Sequence, residues 1–220
     1  MKILARWMVG LLALAAGILL VFAVSVFVWA CSALPSEMSP PDPAAVPEPV
    51  RVLFWIESGG SRQDVRALAA PRLRPSALLV RRPGSSVSGR AAKARMFREQ
   101  RRPIRQIRLT LAELICASWI AWGWSADEAL AEIASESYFG HGFKGIHAAS
   151  FGYFGKPVED LTLPQAAALV AMTRSPNHYS PWCHPDRLAK RIAVLLATSP
   201  EENAARALEG LIVPPPGACS

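Results

Sequence analysis

The sequence predicts a mainly α-helical domain behind one N-terminal transmembrane helix. Two observations favour this class: a long apolar run without charge near the N-terminus, and apolar residues at helical spacing through the second half of the chain. Signals for strands are few. With 220 residues, the chain has room for one domain and an anchor, but not for two large domains.

The anchor is predicted from Trp7–Ala30, which contains no charged residue. As a helix this run would measure roughly 36 Å, against a hydrocarbon core of about 30 Å, and it exceeds the apolar region of a typical signal peptide. Lys2 and Arg6 precede it. The positive-inside rule then predicts a single-pass protein of the inner (cytoplasmic) membrane, with its domain on the periplasmic or extracytoplasmic side. Lipidation at Cys31 is an alternative, although the preceding residues match a lipoprotein cleavage site poorly.

Four segments are predicted along the chain. Residues 1–32 form a cytoplasmic tip and the anchor, and residues 33–49 form an extended, proline-rich linker away from the bilayer. Residues 50–200 form the domain, and residues 201–220 form a C-terminal tail. Inside the domain, the arginine-rich residues 61–103 are broken by prolines, so one or two short helices and a long mobile loop are expected there.

The rest of the domain carries clear helix signals. Ser125 and Glu128 form a capping box, Thr162 is a suitable N-cap, and Pro185 suits a first helical turn. Together with the apolar spacing, these signals predict helices over Ile104–Trp122, 125–135, His147–Phe154, 162–174 and 185–197. The cluster of Trp119, Trp122 and Trp124 is interpreted as core, with a contact to lipid headgroups as the alternative.

The net charge and the cysteines limit the possible partners and metal sites only in part. The 24 basic and 17 acidic side chains leave a formal net charge of +7, which fits an anionic lipid or substrate but equally a solvated basic surface. The four cysteines show no CxxC spacing, so no metal site is predicted. Cys116 is expected in the core, and Cys183 and Cys219 could be joined in an oxidising compartment.

Three consecutive stretches resemble a known family. Residues 125–156 read SADEALAEIASESYFGHGFKGIHAASFGYFGK, residues 161–181 read LTLPQAAALVAMTRSPNHYSP, and residues 190–195 read KRIAVL. In this order they resemble the peptidoglycan glycosyltransferase (transglycosylase) domain of class A penicillin-binding proteins and their monofunctional relatives. The resemblance implies a lysozyme-like fold that transfers glycan from a lipid-linked disaccharide pyrophosphate, lipid II, to a growing glycan strand.

The resemblance also implies roles for five residues. Glu57 would be the general base that takes a proton from the attacking sugar hydroxyl, and Glu113 would be the second active-site carboxylate. Lys93, with Arg90 or Arg95, would contact the departing pyrophosphate. The implied partners are lipid II, the glycan strand, the membrane and, as a further expectation, cell-wall synthesis proteins, but not nucleic acid. No tightly bound cofactor is implied; a divalent cation accompanying the pyrophosphate stays open.

The catalytic motifs depart from the family pattern. The motif E-D-x-x-F-x-x-H-x-G keeps Glu57 but has Ser58 in place of the Asp, and G-S-T-I-T-Q-Q-L-A-K reads GSSVSGRAAK without either glutamine. Ala131 replaces a family Glu, and the adjacent Glu132 lies about 100° round the helix. Reduced or lost catalysis is therefore expected, with an inactive lipid II-binding or scaffold module as the alternative. A hydrolase using Glu57 alone is a weaker hypothesis. Arg191 is predicted to be structural and to pair with a carboxylate.

Overall fold

A computed structural model describes residues 2–60, 85–99, 106–197, 206–215 and 218–219. Over these residues the chain forms eight α-helices and no strand, which confirms the mainly α prediction. The helices are α1 (Lys2–Cys31), α2 (Glu48–Glu57), α3 (Ser85–Glu99), α4 (Gln106–Gly123), α5 (Ala126–Glu136), α6 (Ile146–Phe154), α7 (Leu163–Met172) and α8 (Pro185–Leu196).

Two of the predicted helix N-termini, at Ser125 and Thr162, have the expected side-chain caps. Oγ of Ser125 accepts a hydrogen bond from N–H of Glu128 at 3.2 Å, and the Glu128 carboxylate accepts one from N–H of Ser125 at 2.6 Å. Thr162 and Gln165 form the same reciprocal pair at the start of α7. These bonds satisfy N–H groups that a helix leaves without an internal partner, and they start α5 and α7 where the sequence indicates.

The arginine-rich segment is more regular than expected where it is described. Instead of one or two short helices, α3 is a single helix of 15 residues. The predicted long mobile loop falls largely on residues 61–84, which lie outside the described part of the chain.

The helices pack around one apolar core. α3 contacts α4 and α5, whereas α2 contacts α5, α7 and α8, and α7 also contacts α8. The largest fully buried side chains include Phe54, Trp124, Phe139 and Tyr153. Cys116 is buried as predicted, and burial raises the pKa of its thiol to about 12. The packing brings the C-terminal end of α2 together with α3, α7 and α8.

α1 supplies the predicted anchor and also contacts the domain. Its stretch Gly10–Cys31, 22 residues long, is the one in the described chain that is long and apolar enough to cross a membrane. Near its end, Arg108 of α4 donates from Nε to the Trp29 carbonyl at 3.1 Å and from Nη2 to Oγ of Ser32 at 2.6 Å. The anchor therefore meets α4 directly.

The proline-rich segment lies against the domain. It contains a short 3-10 helix, Pro43–Ala45, and buries Val46. Arg51 donates to the carbonyls of Pro43, at 2.6 Å, and Val46. An extended linker is predicted here, but these bonds attach the segment to α2 rather than leaving it free.

The C-terminal residues also contact the domain. N–H of Ile212 donates to the carbonyl of Tyr153 at 2.8 Å, and the Gln165 amide donates to the carbonyl of Glu209 at 2.7 Å. A disulfide joins Cys183 to Cys219, with a Cα–Cα distance of 5.4 Å. The predicted tail is thus attached covalently to the loop before α8.

Candidate active site

Glu57 lies at the C-terminal end of α2 with its side chain only 2% exposed. Its Oε2 lies 2.6 Å from Nη2 of Arg191 on α8, and its Oε1 lies 3.6 Å from Nη1 of Arg174, just after α7. The structure therefore pairs Arg191 with a carboxylate, as predicted. Since Oε2 is held tightly and Oε1 more loosely, Oε1 is the oxygen better placed to accept a proton.

Arg90 of α3 lies between Ser58, the residue after Glu57, and a neighbouring cleft. Its Nη1 donates to Oγ of Ser58 at 2.7 Å, and its Nη2 donates to Oγ1 of Thr173 at 3.4 Å. Burial lowers the pKa of the Arg90 guanidinium, while the charge of Glu57 opposes that shift and Arg174 adds to it. An anion placed beside Arg90 would offset the cost of burying this cation.

The cleft has a volume of about 570 Å³ and an excess of positive charge. Three of its lining side chains are cationic and one is acidic; the lining residues are Arg90, Lys93, Ala94, Ile133, Glu136, Ser137, Tyr138, Lys144 and Thr173. Glu136 contacts Lys144 at 2.9 Å and Arg98 at 3.6 Å. Two of the three cations predicted to bind pyrophosphate, Arg90 and Lys93, are thus brought together in one cleft.

Arg95, the third predicted cation, has a different environment and is not among the residues that line the cleft. It forms a nearly inaccessible ion pair with Glu132: Nε lies 2.7 Å from Oε1, and Nη2 donates to Oε2 at 2.8 Å. Its guanidinium also lies 5.1 Å from the centre of the Trp124 ring and donates to the carbonyl of Ser39 at 3.0 Å. These contacts give Arg95 a structural role, and its position does not support the predicted contact with pyrophosphate.

Glu113 is not brought to Glu57 by any contact found among the described residues. It lies half-buried on α4, one turn before Cys116, and its charge is among the smaller influences on the Cys116 thiol. α4 packs on α3 and α1, while α2 packs on α5, α7 and α8. The two predicted carboxylates therefore belong to different sets of helices.

Sequence reasoning missed Arg174, Thr173, Tyr138 and Lys144. Arg174 follows the apolar helix α7, and basic residues are favoured near helix C-termini. Its place after α7 could therefore have marked it as a candidate from the sequence. The loop residues Tyr138 and Lys144 are brought to the cleft by an isolated antiparallel bridge between them, which no sequence period marks.

The family model described as "Transglycosylase" matches residues 67–199, which is more than half of the chain. This chain belongs to the transglycosylase family. The predicted lysozyme-like fold class is thereby confirmed. The match begins after Glu57, so the assignment of Glu57 rests on its place in the structure and on the motif resemblance, not on the family model.

Curated relatives of this transglycosylase domain are penicillin-binding proteins. Penicillin-binding protein 1F of Bacillus subtilis strain 168 is 33% identical over 128 residues, which is 58% of this chain and 17% of that protein. Penicillin-binding protein 1A of Mycobacterium tuberculosis H37Rv is 36% identical over 109 residues, covering 46% of this chain and 13% of that protein. The chain therefore matches less than a fifth of the length of either relative.

Proposed function

We propose that this transglycosylase transfers glycan from lipid II to a growing glycan strand, at a rate reduced by its altered motifs. The observation that carries the proposal is the position of Arg90, which lines the cationic cleft, binds Ser58 next to Glu57 and is influenced by the charge of Glu57. Glycosyl transfer from a lipid pyrophosphate needs a carboxylate base beside a site that holds negative charge. The buried carboxylate and the cationic lining meet both needs.

In this proposal the pyrophosphate lies in the cleft against Arg90, Lys93 and Lys144. Charged hydrogen bonds from these side chains would bind the phosphate oxygens in the ground state and stabilise the charge that develops as the sugar–phosphate bond breaks. A divalent cation could accompany the pyrophosphate as part of the substrate, held by its phosphate oxygens.

Oε1 of Glu57 would then take the proton from the attacking hydroxyl of the second sugar. Arg191 would hold the carboxylate in place through Oε2, and Arg174, at 3.6 Å from Oε1, would have to leave room for the hydroxyl. The Arg174 side chain is 60% exposed, so it has solvent into which it can turn. We assign no direct step to Glu113, because no contact found among the described residues joins it to Glu57.

Binding of lipid II without turnover is the second candidate function. It is favoured by the ion pairs of Glu57, in which both carboxylate oxygens contact an arginine. In this case the cleft would serve a binding or scaffold role among cell-wall synthesis proteins.

The disulfide supports placing the domain on the extracytoplasmic side of the membrane. Cys183–Cys219 would persist in an oxidising compartment, whereas cytosolic thiols are kept reduced. The positive charges of Lys2 and Arg6 ahead of the apolar helix favour the same orientation.

Polymerisation of labelled lipid II by the purified full chain tests the proposal. We expect slow strand formation by the native protein, and a loss of about 100-fold or more in Glu57→Gln, while Glu113→Gln stays within a few fold. In a parallel binding assay, Lys93→Gln should weaken lipid II binding, and the matched variant Lys190→Gln, exposed on α8 outside the cleft, should not.

The two assays separate the two candidates. Binding that depends on Lys93, without any polymer from the native protein, would replace the first candidate with the second. If the native protein neither binds nor polymerises lipid II, both candidates fail.

A further inference from the structure

We propose that the Cys183–Cys219 disulfide is a thiol–disulfide exchange site, which a dithiol reaches in the folded chain, and that its reduction loosens a loop of the cationic cleft. The disulfide lies in the wall of a cavity of about 300 Å³, here called the disulfide cavity. The polar side chains of its lining belong to His141, Asn177, Ser180 and His184. Cys219 is exposed and Cys183 is half-buried. A reagent therefore has a path to the bond, and accessible disulfides are the labile ones.

Two polar side chains favour Cys183 as the sulfur that leaves. The hydroxyl of buried Ser180 donates to Sγ of Cys183 at 3.4 Å, and Nε2 of His141 lies 3.2 Å from Oγ of Ser180. With its proton on Nε2, His141 donates to Ser180, and Ser180 donates to the sulfur. Cys183 also lies two residues before α8, where the helix dipole favours negative charge. Because exchange is faster when the leaving thiolate is stabilised, Cys219 is the sulfur attacked.

The reaction partner is a dithiol, which supplies both electrons. One thiolate of the dithiol attacks Sγ of Cys219 and forms a mixed disulfide, while Cys183 leaves with the electron pair of the broken bond and takes a proton from water. The second thiolate of the dithiol then attacks the dithiol's own sulfur in the mixed disulfide, so Cys219 leaves and is protonated. The dithiol ends as a disulfide, and Cys183 and Cys219 end as thiols.

The disulfide fixes the end of a stretch that buries little apolar surface. Ile212 is 41% and Val213 is 82% exposed, and residues 211–215 form no regular element. N–H of Ile212 donates to the Tyr153 carbonyl at 2.8 Å, and Nε1 of Trp182 donates to the Ile212 carbonyl at 2.9 Å. Because Trp182 directly precedes Cys183, opening the disulfide removes the covalent link that holds the two sides of this contact together.

Tyr153 and Trp182 connect this stretch to loop 138–144. The Tyr153 hydroxyl donates to the Phe139 carbonyl at 2.9 Å. The centre of the Trp182 ring lies 4.6 Å from that of His141 and 4.9 Å from that of Tyr153. Since Phe139 and His141 both belong to the loop, a change at the disulfide reaches the loop through direct contacts.

Loop 138–144 needs such contacts to keep its shape. His141 has a φ of 50°, in the left-handed region that is unfavourable for a residue with a Cβ atom. A conformation of this kind persists when the surrounding structure holds it. Both ends of the loop, Tyr138 and Lys144, line the cationic cleft. Loss of the contacts around His141 therefore lets the loop relax and moves side chains of the cleft.

Reduction of the native full chain in detergent micelles tests the exchange site. Dithiothreitol is added at neutral pH without denaturant, samples are alkylated with iodoacetamide, and each cysteine is followed by peptide mass. Cys116 is fully buried, so its alkylation reports unfolding of the whole domain. We expect alkylation of Cys183 and Cys219 to be about tenfold or more faster than that of Cys116, because access controls exchange. One common rate for all three, or no reaction at Cys183 and Cys219, would overturn the proposal.

Ser180→Ala tests the role of the hydroxyl. We expect reduction to become slower by about threefold or more, because the leaving thiolate loses a donor. Asn177→Ala, which changes the lining of the same cavity, is the matched control and should leave the rate unchanged. A merely structural role of Ser180 predicts the opposite sign, since looser packing exposes the bond; an unchanged or faster rate would thus refute the assignment. If the Cys116 signal shows that Ser180→Ala is unfolded, His141→Asn, which tolerates the positive φ, gives the same comparison.

Hydrogen exchange tests the link to the cleft. In the reduced chain, the amides of Ile212 and Phe139 should exchange about tenfold or more faster, while Ala129 in α5 should stay unchanged, because only contacts near the disulfide are lost. Cys183→Ser with Cys219→Ser should show the same pattern without any reductant. Faster exchange at Ile212 with an unchanged loop 138–144 would disprove the link. These measurements use no lipid II, so the proposed function stands or falls separately.

Discussion

Two carboxylate–arginine centres differ in how far solvent reaches them. At the sealed centre, Glu132 and Arg95 have side-chain exposures of 2% and 3%. At the open centre, Glu57 is 2% exposed, but its partners Arg191 and Arg174 are 21% and 60% exposed. Both centres bury a carboxylate, yet only the open one has a partner that can move into water and a neighbouring cleft.

The contrast separates structural charge from charge that can take part in binding. The sealed pair joins α3 to α5, and Arg95 also donates to the carbonyls of Glu37 and Ser39, so its Nη1 and Nη2 are already engaged. A ligand could not reach it without breaking that packing. Beside the open centre, Arg90 binds Ser58, the residue after Glu57, and lines a cleft that a substrate can reach. Burial of a charge is therefore not evidence of a functional site unless one partner is accessible.

The largest expected effect is at the sealed centre. Glu132→Gln leaves Arg95 buried without a counter-charge, and we expect it to lower the free energy of unfolding by about 3–5 kcal/mol. The measurement is denaturant unfolding in detergent micelles, followed by circular dichroism. Glu132→Leu combined with Arg95→Met should recover most of the loss, since an apolar pair has no charge to desolvate. A loss under about 1 kcal/mol in Glu132→Gln would mean that water reaches this centre.

A smaller loss is expected at the open centre. Arg191→Met removes the 2.6 Å contact to Oε2 of Glu57 and should lower the free energy of unfolding by about 1–3 kcal/mol. Lys190→Met, one position earlier and exposed, should change it by less than about 0.5 kcal/mol. The same unfolding measurement applies. Equal losses in both variants would show that the ion pair is not what holds Glu57.

Local sequence signals predicted the helices well, because their causes are local. The capping boxes at Ser125 and Thr162 act over three residues, and both helix starts are confirmed. The side that a helix presents to its neighbours depends instead on distant packing. The spacing of apolar residues in α4 predicts an apolar face but not what covers it, and the prediction that Trp119 and Trp122 are core is wrong because both are exposed.

The candidate site was predictable only in part. Arg90 and Lys93 are three residues apart, about 60° round α3, so they share a side; Arg95 is about 140° from Arg90 and faces elsewhere. Helix geometry could have separated these cations once α3 was known to be one helix. The contact between Glu57 and Arg191 spans 134 positions and follows from the packing of α2 on α8, which no local pattern specifies.

The smallest effect on stability is expected at the exposed edge of the open centre. Arg174 contacts Oε1 of Glu57 at 3.6 Å from a side chain that is largely in solvent, so Arg174→Gln should lower the free energy of unfolding by less than about 1 kcal/mol. Added salt should shrink that difference further, because water and ions screen an exposed pair. Denaturant unfolding at low and high salt gives both values. A loss as large as that of Arg191→Met would mean that Arg174 is held as firmly as Arg191. Glu57 would then have no oxygen available to a sugar hydroxyl, and its centre would be as structural as that of Glu132.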